Sequence, residues 1–95
     1  MINANRILEC VAEKHGVTIV EIIGRSRVKK NNEARFFFCL IARELTRITY
    51  REIGDYTGRS HCTVIHSIKR AKELIETYPE MKILYKRIKD EITVE

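Results

Sequence analysis

The sequence predicts an all-α fold: a compact bundle of about six helices containing a helix-turn-helix. Three observations carry this. Apolar residues recur at three- and four-residue spacing along most of the chain. Two stretches, Thr18-Ile-Val-Glu21 and Thr49-Tyr-Arg-Glu52, have the form of the capping box that opens a helix. Gly16, Gly58 and Pro79 punctuate the chain where the periodic runs stop or restart.

The 95 residues form one domain, 1–95, large enough for a single modest core. Hydrophobic residues at 44% and charged residues at 33% describe a soluble globular chain, not a disordered one. The longest apolar run, Phe36 to Ala42, is far too short to span a membrane. Met1-Ile-Asn-Ala-Asn-Arg6 lacks the charged-then-apolar pattern of a secretion signal, so a cytoplasmic location is expected. Cys10, Cys39 and Cys62 are odd in number and form no CxxC pair; free thiols are expected, two of them buried. A net charge of +5 suits a polyanionic partner, but its placement says more than its size.

Taken in order, Ile7, Leu8, Val11 and Ala12 share one face of a first helix over Asn3 to Lys14, ended by His15-Gly16. The Thr18 capping box predicts a short helix from about Ile19 to Ile23. The β-branched run Val17 to Ile23 also suits a strand, but no second strand is evident to pair with it. Gly24 to Glu33, with four basic residues against one acid, reads as an exposed loop. A central helix follows from near Asn32 to Thr46, with Phe37, Phe38, Ile41 and Leu45 at core spacing. Met81, Leu84, Tyr85, Ile88 and Ile92 form the apolar stripe of a last helix that Pro79 opens.

Residues 49–77 hold the helix-turn-helix. Gly54 falls at the helix contact, Gly58 at the turn and Val64 on the inner face of the second helix. Ser60 caps that helix, and Val64, Ile68 and Ile75 hold it on the core. Arg59, Ser60, His61, Cys62 and Thr63 then occupy the turn and first helical turn, the part of such a motif that reaches base edges in a major groove. His66 and Lys69 lie farther along, where the phosphate backbone would pass. The plainer reading is that Ser60 only caps and Thr63 only supports it. The Arg25-Ser-Arg-Val-Lys-Lys30 run also has two readings. It is either a solvated surface or an arginine-bearing loop that enters the adjacent minor groove.

Other chemistry has less support. Cys62 and His66 share a helical face, but zinc needs three or four ligands and no supporting Cys/His pair stands at a suitable spacing, so no metal is expected. Cys62 next to His61 invites a nucleophile-base reading, yet sequence neighbours on a helix point about 100° apart. No GxxxxGK[ST] loop is present, so no nucleotide, no cofactor and no enzymatic activity are expected.

Gly58-Arg-Ser-His-Cys-Thr-Val-Ile-His66 resembles the signature helix of the C-terminal DNA-binding domain of the bacterial replication initiator DnaA, with its Gly-Arg-Asp-His-Thr-Thr-Val-Leu-His type sequence. Val11-Ala-Glu-Lys-His-Gly-Val-Thr18, the basic loop, Ala42-Arg-Glu-Leu-Thr46 and Glu52-Ile-Gly-Asp55 resemble further blocks in order, covering roughly residues 5 to 92. The resemblance implies a Trp-repressor-like helical domain that reads duplex DNA in the major groove while an arginine enters the minor groove. By position, Arg27 matches that arginine, with Arg25, Lys29 and Lys30 beside it. His61 matches the base-contacting histidine, Thr63 the second threonine and His66 the closing histidine. Ser60 stands where the family has an acid, Cys62 where it has the first threonine, and Arg51 where it has a proline. The turn is one residue shorter than in many members. Each altered base contact is worth ~1–3 kcal/mol of discrimination, enough to change the preferred base.

Binding of double-stranded DNA in replication initiation or its regulation is therefore expected, at the nucleoid and with other replication proteins as possible partners. With no nucleotide-binding module in its 95 residues, the chain is expected to act as a free-standing binding domain. Two alternatives stand beside this. One is a transcriptional repressor dimerising through the last helix; the other is an adaptor whose basic surface docks an acidic protein.

Overall fold

The computed structural model describes residues 2–25 and 28–94, and short-range signals set most of its helix ends. Asn3 caps α1 (Ala4–His15) by accepting from Arg6 N at 2.9 Å, and Gly16 ends it in the left-handed region. Both bonds of the Thr18/Glu21 capping box form and open α2 (Ile19–Ile23), so this part of the β-branched run is helical and not a strand. The Thr49/Glu52 box likewise opens α4 (Tyr50–Thr57). Ser60 caps α5 (His61–Thr77), and Pro79 is the first residue of α6 (Pro79–Val94), where its missing N–H leaves no bond unmade.

The start of α3 (Lys29–Leu45) departs from expectation. The helix begins three residues before Asn32, so the predicted loop over residues 24–33 is shorter, and Lys29 and Lys30 belong to a helical turn. Lysine is a good helix former, and Lys29 stands 3.9 Å from Glu33 one turn on. The Val28 N-cap makes no side-chain bond, so no local signal marked this end. Asn31, expected in an exposed loop, is buried.

Helix α3 lies at the centre and packs against α1, α2, α4 and α5. Phe37, Phe38 and Ile41 are fully enclosed with Ile7, Val11, Ile22, Ile53 and Val64. Truncating either phenylalanine to alanine would cost about 3–5 kcal/mol, a large part of a small domain's stability. On α6, Ile88 and Ile92 are buried and Met81, Leu84 and Tyr85 pack half-buried on the same core. The apolar stripe of the last helix thus packs on the bundle core. Lys14–Glu91 at 3.0 Å and Lys89–Glu44 at 3.6 Å bind α6 to α1 and α3. Cys10 and Cys39 are the two buried thiols; Cys62 is exposed. Among the described residues no helix is long and apolar enough to cross a membrane.

Candidate nucleic-acid interface

The motif at residues 49–77 is built around a tight turn. Gly58 takes φ 67°, a conformation that side chains resist, and Arg59 N donates to Gly54 O at 2.9 Å. Ser60 Oγ then accepts from Thr63 N at 3.3 Å and lies 3.1 Å from Thr63 Oγ1. Both hydroxyls are thereby engaged with each other at the start of α5, as the plainer reading of Ser60 and Thr63 requires, while both residues stay exposed.

Periodicity divides α5 cleanly. Val64, Ser67, Ile68 and Ala71 are buried, whereas His61, Cys62, His66 and Lys69 are exposed along the other side. Cys62 Sγ lies 3.6 Å from His61 Nε2, so the two side chains meet although their Cα–Cβ bonds diverge. The imidazole reaches across the open helix start, which the angular argument alone did not foresee. Arg51 is exposed on the first turn of α4.

Arg59 is placed differently from its neighbours. Its guanidinium turns back to α2: Nη1 donates to Ile23 O at 3.1 Å and to Thr57 O, and Nη2 donates to Gly24 O at 2.6 Å. The buried Arg35 reaches the same place from α3, with Nε on Ile22 O at 2.8 Å and Nη2 on Gly24 O at 3.1 Å. Burial foremost, and then repulsion from Arg59, lowers the Arg35 pKa; burial and Arg25 lower that of Arg59.

Of the basic segment, Arg25, Lys29 and Lys30 are exposed, the last two on the first turn of α3. Arg27, matched to the minor-groove arginine, lies outside the described residues. Shallow grooves flank α5 on both sides. One is lined by Tyr50, Ile65, Lys69 and Lys72, the other by Lys29, Asn32, Phe36 and Arg70. Lys72 and Arg70 did not emerge from the sequence, although their three-residue spacing from Lys69 and Ser67 placed them on α5's flanks. Among the described residues, no group of three His, Cys, Asp or Glu side chains is arranged to hold a metal ion.

A short capped helix, a glycine turn and a longer helix with a polar, exposed start define a helix-turn-helix protein. The family model described as "Bacterial dnaA protein helix-turn-helix" matches residues 4–71, and the chain belongs to that family. Its relatives include the chromosomal replication initiator protein DnaA of Mesoplasma florum, 34% identical over 93 residues, which cover 97% of this chain and 21% of that protein. The protein of the same name from Neisseria meningitidis is 30% identical over 89 residues, or 93% of this chain and 17% of its own length. The chain thus spans about a fifth of the length of the curated relatives it matches.

Proposed function

We propose that the chain binds double-stranded DNA, with α5 in the major groove and the basic segment 25–30 at the adjacent minor groove, in replication initiation or its regulation. The observation that carries this reading is the division of α5. One side is committed to the core, and the other presents His61, Cys62, His66 and Lys69 to solvent. The names of the relatives, chromosomal replication initiators, supply the process.

In this reading His61, Cys62 and the Ser60–Thr63 pair face base edges, where hydroxyl and imidazole groups donate or accept. Lys29, Lys30, Arg51, His66 and Lys69 meet phosphates and set the register, and Arg25 with Arg27 serves the minor groove. The activity is binding, without a catalytic step, nucleotide or cofactor, and it belongs in the cytoplasm at the nucleoid, alongside other replication proteins. Serine in place of an acid and cysteine in place of threonine give this chain its own base preference.

Selection of bound sequences from a random duplex pool, with binding measured at two salt concentrations, tests the proposal. The expected result is an enriched short site whose affinity falls steeply with salt. Failure to shift any duplex at low salt, with the fold intact, would overturn it in favour of an acidic protein partner.

A further inference from the structure

We infer that Arg35 and Arg59 are positioning residues that fasten the root of the basic loop to the helix-turn-helix. The two guanidiniums come from different elements, α3 and the α4–α5 turn, and converge on the carbonyl end of α2. There Gly24 O accepts from both, at 3.1 Å from Arg35 and 2.6 Å from Arg59. Ile22 O and Ile23 O take one bond each, at 2.8 and 3.1 Å. These are carbonyls that a helix end leaves without an intrahelical partner, so the bonds satisfy acceptors that would otherwise need water. A third bond, to Thr57 O, ties the Arg59 guanidinium to the end of α4. Asn32 Oδ1 accepts from Arg35 Nη1 at 2.6 Å and sets that guanidinium in place.

Both sides of the junction lie beside proposed contact residues. Arg25, the first loop cation, follows Gly24 directly, and Ser60, the cap of the reading helix, follows Arg59 directly. The two arginines therefore fix where the loop starts relative to α5, and a displacement of about 1 Å at such a support is enough to loosen a site. Arg59 acts through the loop and not by touching a base, although its sequence position beside Ser60 suggests contact. The clamp is a property of the free protein; its consequence for DNA rests on the binding reading above.

Amide hydrogen exchange on the free chain tests the clamp directly. In Arg59→Ala, the amides of Ile23 and Gly24, in the last turn and cap of α2, should exchange about tenfold faster, as expected for loss of hydrogen bonds from a charged donor. Those of Ile7 and Phe37 should keep their protection. Unchanged exchange at Ile23 and Gly24 would overturn the assignment. Should Arg59→Ala unfold, Arg59→Lys, which keeps the charge but not the fork, carries the same comparison. On the duplex enriched by selection, hydroxyl-radical footprinting of Arg59→Ala should lose the protection made by the loop and keep that beneath α5. Equal weakening of both would assign Arg59 a contact of its own. If the wild-type chain selects no duplex, the DNA reading falls, and the exchange result still decides the clamp.

Discussion

The carbonyl of Arg59 occupies the space that a methyl group on Gly54 would need, well inside van der Waals contact, with Ser60 C only 3.6 Å from that position. The obstacle is backbone, which cannot rotate away. In an open helix, Gly54→Ala would gain about 1 kcal/mol of helix propensity. Here overpacking of about 1–3 kcal/mol opposes it, and the 2.9 Å bond from Arg59 N to Gly54 O is strained as well. The variant should be destabilised overall, with a lower urea midpoint than the parent. A higher midpoint would contradict the close approach.

Ser60→Ala removes the acceptor for Thr63 N and should cost about 1 kcal/mol in unfolding free energy. Ser60→Asp keeps a capping oxygen and restores the acid that the wider family carries there. Its stability should be close to the parent's while the bases enriched by selection change. Identical enriched sites for the two proteins would remove Ser60 from the reading surface.

The three thiols should differ sharply in reactivity. Burial foremost pushes Cys10 up to about 11 and Cys39 up to about 12, so both stay protonated and inaccessible at neutral pH. Cys62 is exposed. A thiol reagent should modify one cysteine in the native protein and three after unfolding, as counted by mass. Saturating specific duplex should protect the first of these; labelling of Cys62 at an undiminished rate would place it off the interface.

His15 should make stability depend on pH. Burial foremost lowers its pKa below the ordinary 6.5, with Lys30 acting in the same direction and the Val11 O bond and Glu33 against it. Its ring also packs edge-on to Phe37 at 5.1 Å, and Nε2 is buried without a hydrogen bond. Below pH 6.5 the unfolded chain binds a proton that the folded chain resists. The contribution is therefore complete above 6.5 and is lost as pH falls toward the folded value. Urea midpoints should decline from pH 7.5 to 5.5, and His15→Gln should flatten that decline.

Lys29, Lys30 and Lys69 should each carry one phosphate's share of the salt dependence. Replacing one with alanine should reduce the slope of log K against log salt by about 0.9 while leaving the enriched sequence unchanged. A variant that changes the sequence but not the slope would be reading bases instead.

Features fixed by near neighbours were legible in the sequence. The boxes at Thr18 and Thr49, the glycine turn at Gly58, Pro79 and the α5 periodicity all express interactions within a few residues, and each stands where the pattern put it. The start of α3 was misread because Val28 offers no cap and Lys29 and Lys30 look like a solvated loop. The direction of Arg59 was beyond local reading, since its acceptors Ile23 and Gly24 lie 36 and 35 residues away. Long-range placement decides where a cation's side chain is held, and composition does not record it.

The acceptors gathered around Arg35 and Arg59 are amide and carbonyl oxygens, groups that neither titrate near neutral pH nor depend on a counter-charge. Ionic strength high enough to weaken the proposed phosphate contacts should therefore leave the spacing between the loop root and α5 unaltered. Grip and shape are governed by different forces, so a molecule released by salt is already set for its next encounter.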